Sequence, residues 1–156
     1  MVKDVRLENA VVARALQVTL IAFFVVVTVF LLVIYAIDPA IYVQTLLGKN
    51  APVARDAHPL IVTAFLLGIL AFVGVGVVGV VRRWRWVFWL LLIAFMLSFL
   101  VIPGVALELA GIIPAAPIPL WYGLTRMATG AAETVIGVWM ILIYRRYGVW
   151  ARGRRA

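Results

Sequence analysis

Residues 59–102, PLIVTAFLLGILAFVGVGVVGVVRRWRWVFWLLLIAFMLSFLVI, hold two long apolar runs separated by four residues, three of them arginine. Each run is close to the roughly 20 residues that carry a helix across about 30 Å of hydrocarbon. The break, Arg82-Arg83-Trp84-Arg85, has room only for a turn, so the two runs are expected to form a tight antiparallel hairpin. Two further runs flank them, and the expected helices are 15–37, 59–81, 86–110 and 121–144. The first should stop at Asp38-Pro39, because proline cannot continue the hydrogen-bond ladder and disfavours helix in the residue before it. The third should kink near 103, at Pro103-Gly104. The fold class expected is an all-α, four-helix transmembrane bundle.

Composition agrees. Hydrophobic residues make up 67% of the 156 and charged residues 13%, against about half and about a quarter in a soluble domain. A soluble fold this short could not hide so much apolar surface, and its length allows one integral membrane domain, 1–156. The net charge of +8 comes from twelve arginines and two lysines. They sit in short segments between apolar runs, not on the continuous basic face that phosphate contacts need, so no nucleic acid partner is expected. Lipid headgroups and membrane topology account for them. Cysteine is absent, which removes disulfides, thiolate metal sites and thiol redox chemistry.

Topology follows from counting. With the N-terminus inside, Lys3, Arg6, Arg14, Arg82, Arg83, Arg85, Arg145, Arg146, Arg152, Arg154 and Arg155 are all cytoplasmic, and only Lys49 and Arg55 lie in outer loops. Eleven against two predicts both termini in the cytoplasm of a multi-pass cell-membrane protein. Residues 15–37 are too long for the apolar core of a cleaved signal, about 7–15 residues, and read as an uncleaved first span. Trp84, Trp86 and Trp89 are expected at the inner interface and Trp121 and Tyr122 at the outer one. Residues 40–47 read as a short interfacial helix, and the basic tail from 145 as frayed or lying on lipid.

Gly74-Val75-Gly76-Val77-Val78-Gly79 has the G-x-G-x-x-G spacing of dinucleotide sites. That motif needs a strand, a tight turn and a helix N-terminus, and here it lies inside an apolar helix. Helix packing explains it better. Ala64, Gly68, Ala71, Val75 and Gly79 form a small-residue seam of the kind that lets helices approach closely in lipid.

The candidate functional residues centre on Glu133, near the middle of the fourth run. An ionisable side chain at that depth costs several kcal/mol and must face protein or water. Arg126 lies two turns earlier on nearly the same face, about 10 Å away, with Thr129 between. Glu108, past the Pro103-Gly104 break, is expected at the depth of Arg126 and able to pair with it. Asp38, Asp56 and His58 are expected to line an outer vestibule with them. His58 is the only histidine, so two-histidine haem ligation within the chain is excluded. Ser98, the lone serine, is expected to bond the carbonyl a turn earlier. No nucleophile with a nearby base, catalytic carboxylate pair, metal-ligand spacing or intrinsic cofactor site is read, so an enzyme is disfavoured.

Residues 123–139, through Arg126, Gly130, Glu133 and Gly137, resemble one helix of the DoxX-like proteins. The resemblance covers that helix alone and implies no residue roles. From the residues, the expected function is a non-catalytic subunit of a membrane complex, or a self-associating membrane protein. The partners are then the bilayer and either further copies or other membrane subunits. The alternative is a small transporter or channel that binds protons or cations at Glu133. A third reading is a membrane-embedded redox or lipid-modifying component.

Overall fold

The computed structural model describes residues 2–37, 59–113 and 119–151. Its elements are all helical: α1 (Val2–Ile37), α2 (Pro59–Val81), α3 (Arg85–Leu97), a 3₁₀ turn (Ser98–Leu100), α4 (Val101–Leu109), α5 (Leu120–Tyr147) and a second 3₁₀ turn (Val149–Ala151). Four stretches are long and apolar enough to cross a membrane: Leu7–Ile37, Thr63–Val81, Arg85–Leu109 and Leu120–Tyr147. A chain built this way is of the multi-pass membrane type, since helices satisfy their backbone internally in lipid. The expected interfacial helix at 40–47, and the tail beyond residue 151, lie outside the described residues.

Helix α1 starts well before its apolar run. Its early turns are held by packing and by polar contacts that hydropathy does not register. Ala13, Leu16, Leu20 and Phe24 recur every three to four residues and are buried. One to two turns before Ala13, Glu8 accepts a hydrogen bond from the Tyr147 hydroxyl (2.5 Å), and Arg146 lies 3.6 Å from it.

The third span is irregular one turn earlier than expected. Proline lacks an N–H, and its ring presses on the carbonyl four residues before it. For Pro103 that carbonyl belongs to Phe99, inside the 3₁₀ turn Ser98–Leu100. The strain is absorbed where the carbonyl lies, and α4 then carries Pro103-Gly104 within regular helix.

Helix ends are closed with care. Trp84 N–H donates to Gly79 O (2.9 Å) and Arg83 N–H to Val80 O (3.2 Å), with Arg83 at φ 55. These are the two bonds of a Schellman motif, here with arginine in the left-handed position. Gly111, at φ 71, closes α4 in the same way, with Ile112 N–H on Leu107 O and Gly111 N–H on Glu108 O.

Packing is uneven. α5 lies along α3, the first 3₁₀ turn and α4, while α1 lies along α2. α2 touches α3 sparsely, so the expected hairpin is tight at its turn only, where Gly79 packs on Val87. One large apolar core joins Leu16, Leu20, Val80, Phe88, Phe95, Met140 and Trp150 at the end holding the α2–α3 turn and both described chain ends. A small cluster of Ile34, Leu66 and Tyr122 sits toward the other end.

The tail corrects an expectation. Instead of fraying, residues 148–151 turn back into the core: Trp150 is fully buried, its ring 5.4 Å from Phe88, and its Nε1–H donates to Trp84 O at 2.9 Å. Gly148, at φ 77 and ψ −174, makes the reversal in a conformation open essentially only to glycine.

The small-residue seam of α2 is packed within the described residues at one end only. On α2, Ala64, Gly68 and Ala71 are exposed, no described atom lies within 4 Å of a methyl group placed at Gly68, and among the described residues Gly79 and Gly76 are the glycines of this helix that pack closely. A second glycine series packs on α5, at seven-residue spacing. A methyl group at Gly123 would lie 3.7 Å from Val105 Cγ1, at Gly130 3.2 Å from Ser98 O, and at Gly137 3.2 Å from Phe95 Cβ. Gly137→Leu should therefore destabilise the detergent-solubilised protein by about 1–3 kcal/mol, the usual cost of overpacking. Gly68→Leu should leave it nearly unchanged, and thermal or denaturant unfolding of the two variants side by side checks the contrast.

Candidate functional site: an intramembrane groove

Beyond the main core, α1 and α5 separate and leave a groove of about 180 Å³. Val27, Phe30, Leu31 and Ile34 of α1 form one wall, and Val101 and Gly130 form part of the other. The remaining lining comes from Tyr122, Arg126, Thr129 and Glu133, at helical offsets of zero, four, seven and eleven. Those offsets put all four on one side of α5. The structure thus brings together three of the expected site residues, Arg126, Thr129 and Glu133, each half-buried.

Glu133 lies thirteen residues from the start of α5 and fourteen from its end, midway along the span. Arg126 lies about 10 Å nearer the end that holds Tyr122. Neither side chain has a hydrogen bond or ion pair among the described residues. The hydroxyls around them are already committed to the helix ladder. Thr129 donates to Thr125 O (2.9 Å), Thr125 to Trp121 O (2.7 Å) and Thr134 to Gly130 O (2.7 Å). Ser98 donates to Ala94 O (3.1 Å), as expected from its place in an apolar helix. The polar groups of the groove left without a partner among the described residues are therefore the guanidinium and the carboxyl.

Glu108 is half-buried but outside the groove lining, and it makes no ion pair with Arg126 among the described residues. The register explains this. Gly123 packs against Val105, so the two are level. Arg126 lies three residues from that contact toward the middle of the bundle, and Glu108 three residues the other way. That offsets the pair by about 9 Å along the axis. Asp38, Asp56 and His58, the expected vestibule, lie outside the described residues.

Tyr122 is the groove residue that the sequence reading did not assign to the site. As an aromatic near a helix start it reads as an interface anchor, yet it is buried and lines the groove. Its spacing of four from Arg126 and eleven from Glu133 was the available signal. Trp121, next to it, is exposed.

Among the described residues no group of three or more His, Cys, Asp or Glu side chains is placed to hold a metal. No protein family model matches the chain, and no curated protein or solved structure is significantly similar to it. The groove therefore stands on its own chemistry: an apolar lateral cleft with one cation and one acid on the same helix face, two turns apart.

Because these charges are not paired with each other, Arg126→Gln and Glu133→Gln should change stability independently. A double-mutant cycle on the purified protein should give a coupling below about 0.5 kcal/mol, and the same holds for Glu108→Gln with Arg126→Gln. A coupling well above that in either cycle would contradict the geometry described.

Proposed function

We propose that this chain is a non-catalytic component of a membrane assembly, another copy or another membrane subunit supplying the partner. In this reading Arg126 and Glu133 meet polar groups of a second transmembrane chain. The observation that carries the reading is that two ionisable side chains stand half-buried in the wall of an apolar groove with no partner among the described residues. On insertion scales, a charged side chain at mid-bilayer costs about 2.5–3.5 kcal/mol. Retaining two on one helix face is physically reasonable where something from outside the bundle completes them.

We place the chain in the cell membrane with both termini cytoplasmic, following the eleven-to-two charge asymmetry. The described cations of the turn and of both chain ends, Arg14, Arg82, Arg83, Arg85, Arg145 and Arg146, fall at the same end of the bundle, which supports that count. The transport alternative rests on the position of Glu133, midway along α5 and facing the groove. Against it, the layer between Glu133 and the basic end is the apolar core with Phe24, Phe95 and Met140. No polar or charged residue is buried among those described.

Native mass spectrometry of the protein gently extracted from its own membranes tests the assignment. An assembly of fixed stoichiometry is expected, homomeric or heteromeric. Glu133→Gln should lower its occupancy about ten-fold or more, since truncating one side of a buried charged contact costs about 2–5 kcal/mol. A stable monomer with no partner would sink the proposal. Proton or cation flux in proteoliposomes that Glu133→Gln abolishes would move the assignment to transport.

A further inference from the structure

The end of the bundle opposite the groove carries more positive charge than the fold uses. Arg83 is engaged, its Nη2 donating to Gln17 Oε1 at 2.9 Å, and Arg146 lies against Glu8. Arg85 and Arg145 are exposed and have neither a hydrogen bond nor an ion pair among the described residues.

These two arginines lie beside one seam. Helices α3 and α5 run antiparallel, and the rings of Trp89 and Tyr144 meet edge to face at 4.9 Å, which sets the two helices level. Arg85 is one turn before Trp89 on the same side of α3, toward the basic end, and Arg145 follows Tyr144 on α5. Inward from each arginine the exposed surface turns apolar. Trp89 and Ile93 continue the stripe from Arg85 at four-residue steps, and Leu142 and Val138 continue it from Arg145, three and seven residues back. The spans Arg85–Leu109 and Leu120–Tyr147 bring these stripes to the edge of the hydrocarbon.

Two guanidinium groups outside an indole ring, with aliphatic side chains running inward, match an amphiphile with an anionic head and an apolar tail. Guanidinium binds phosphate oxygens through paired, charge-assisted hydrogen bonds. Tryptophan favours the headgroup level of a bilayer. We propose that the α3–α5 seam at the basic end binds an anionic phospholipid, with Arg85 and Arg145 on its phosphate and its acyl chain along Trp89, Ile93 and Leu142. A soluble acidic polymer would use the cations but not the apolar stripes that continue from them.

The test uses the full chain in detergent and counts retained lipids by native mass spectrometry. The probes are phosphatidylglycerol and phosphatidylcholine with the same acyl chains. Preferential retention of phosphatidylglycerol is expected. Arg85→Gln/Arg145→Gln should reduce it about ten-fold, toward the phosphatidylcholine level. Arg14→Gln/Arg82→Gln, which removes the same charge from α1 and the end of α2, should leave it intact. The charge-preserving Arg85→Lys/Arg145→Lys keeps the idea testable if the glutamine double fails to fold, and it should retain most of the preference. Equal retention of the two lipids, equal loss in both glutamine doubles, or displacement by millimolar inorganic phosphate would each overturn the proposal.

Discussion

The last carbonyls of α2 are the point on which the bundle turns. A helix ends with four carbonyls that its own ladder cannot satisfy, and here they end beside three other segments. Val78 O takes Arg82 N–H, Gly79 O takes Trp84 N–H, Val80 O takes Arg83 N–H, and Gln17 Nε2 reaches both Val80 O (2.9 Å) and Val81 O (3.2 Å). Gln17 in turn accepts from Arg83, and the carbonyl of Trp84 accepts from the indole of Trp150. One set of hydrogen bonds thus ties α1, α2, the start of α3 and the chain's returning tail. A buried backbone group left without a partner costs free energy comparable to a lost hydrogen bond, and Gln17 answers two of these carbonyls from the start of the apolar stretch of α1. That cost is also why Arg83 is held at φ 55, a conformation unfavourable by about 1–2 kcal/mol for a residue with a Cβ.

Toward the other end the described core is smaller. It comprises Ile34, Leu66 and Tyr122, and the side-chain hydrogen bond described there, between Tyr35 and Thr63 (3.0 Å), joins α1 to α2. Close packing near the basic end and looser packing beyond it leave the groove where α1 and α5 part.

Much of this was legible from residue order alone. Four spans follow from hydropathy because a membrane helix is specified by length and composition, and the observed α2 matches residues 59–81. Arg126, Thr129 and Glu133 share a face because 3.6 residues make a turn, so their grouping was legible too. What needed coordinates was register between helices. The pairing of Glu108 with Arg126 depends on an axial offset set by Gly123 against Val105, and no count of residues from a helix end supplies that offset. The inward turn of Trp150 was hidden for a similar reason. A basic tail reads as solvated, and it takes Gly148 and the left-handed Trp150 and Ala151 to turn the chain back into the core.

The division of labour on α5 explains why the charges face the groove. The side of α5 toward α3 and α4 carries Gly123, Gly130 and Gly137, which face Val105, the Ser98 carbonyl, and Phe95 with Met96, and a long polar group there would have no room. The side toward α1 meets Phe30, Leu31 and Ile34, whose bulk keeps α1 at a distance. A helix drawn tightly to one neighbour by glycines and held off the other by large residues must leave space on the second side. Arg126 and Glu133 occupy that side. The glycine seam and the charged stripe are therefore one design: the first fixes α5 against α3 and α4, and in doing so it opens the cleft that the second lines.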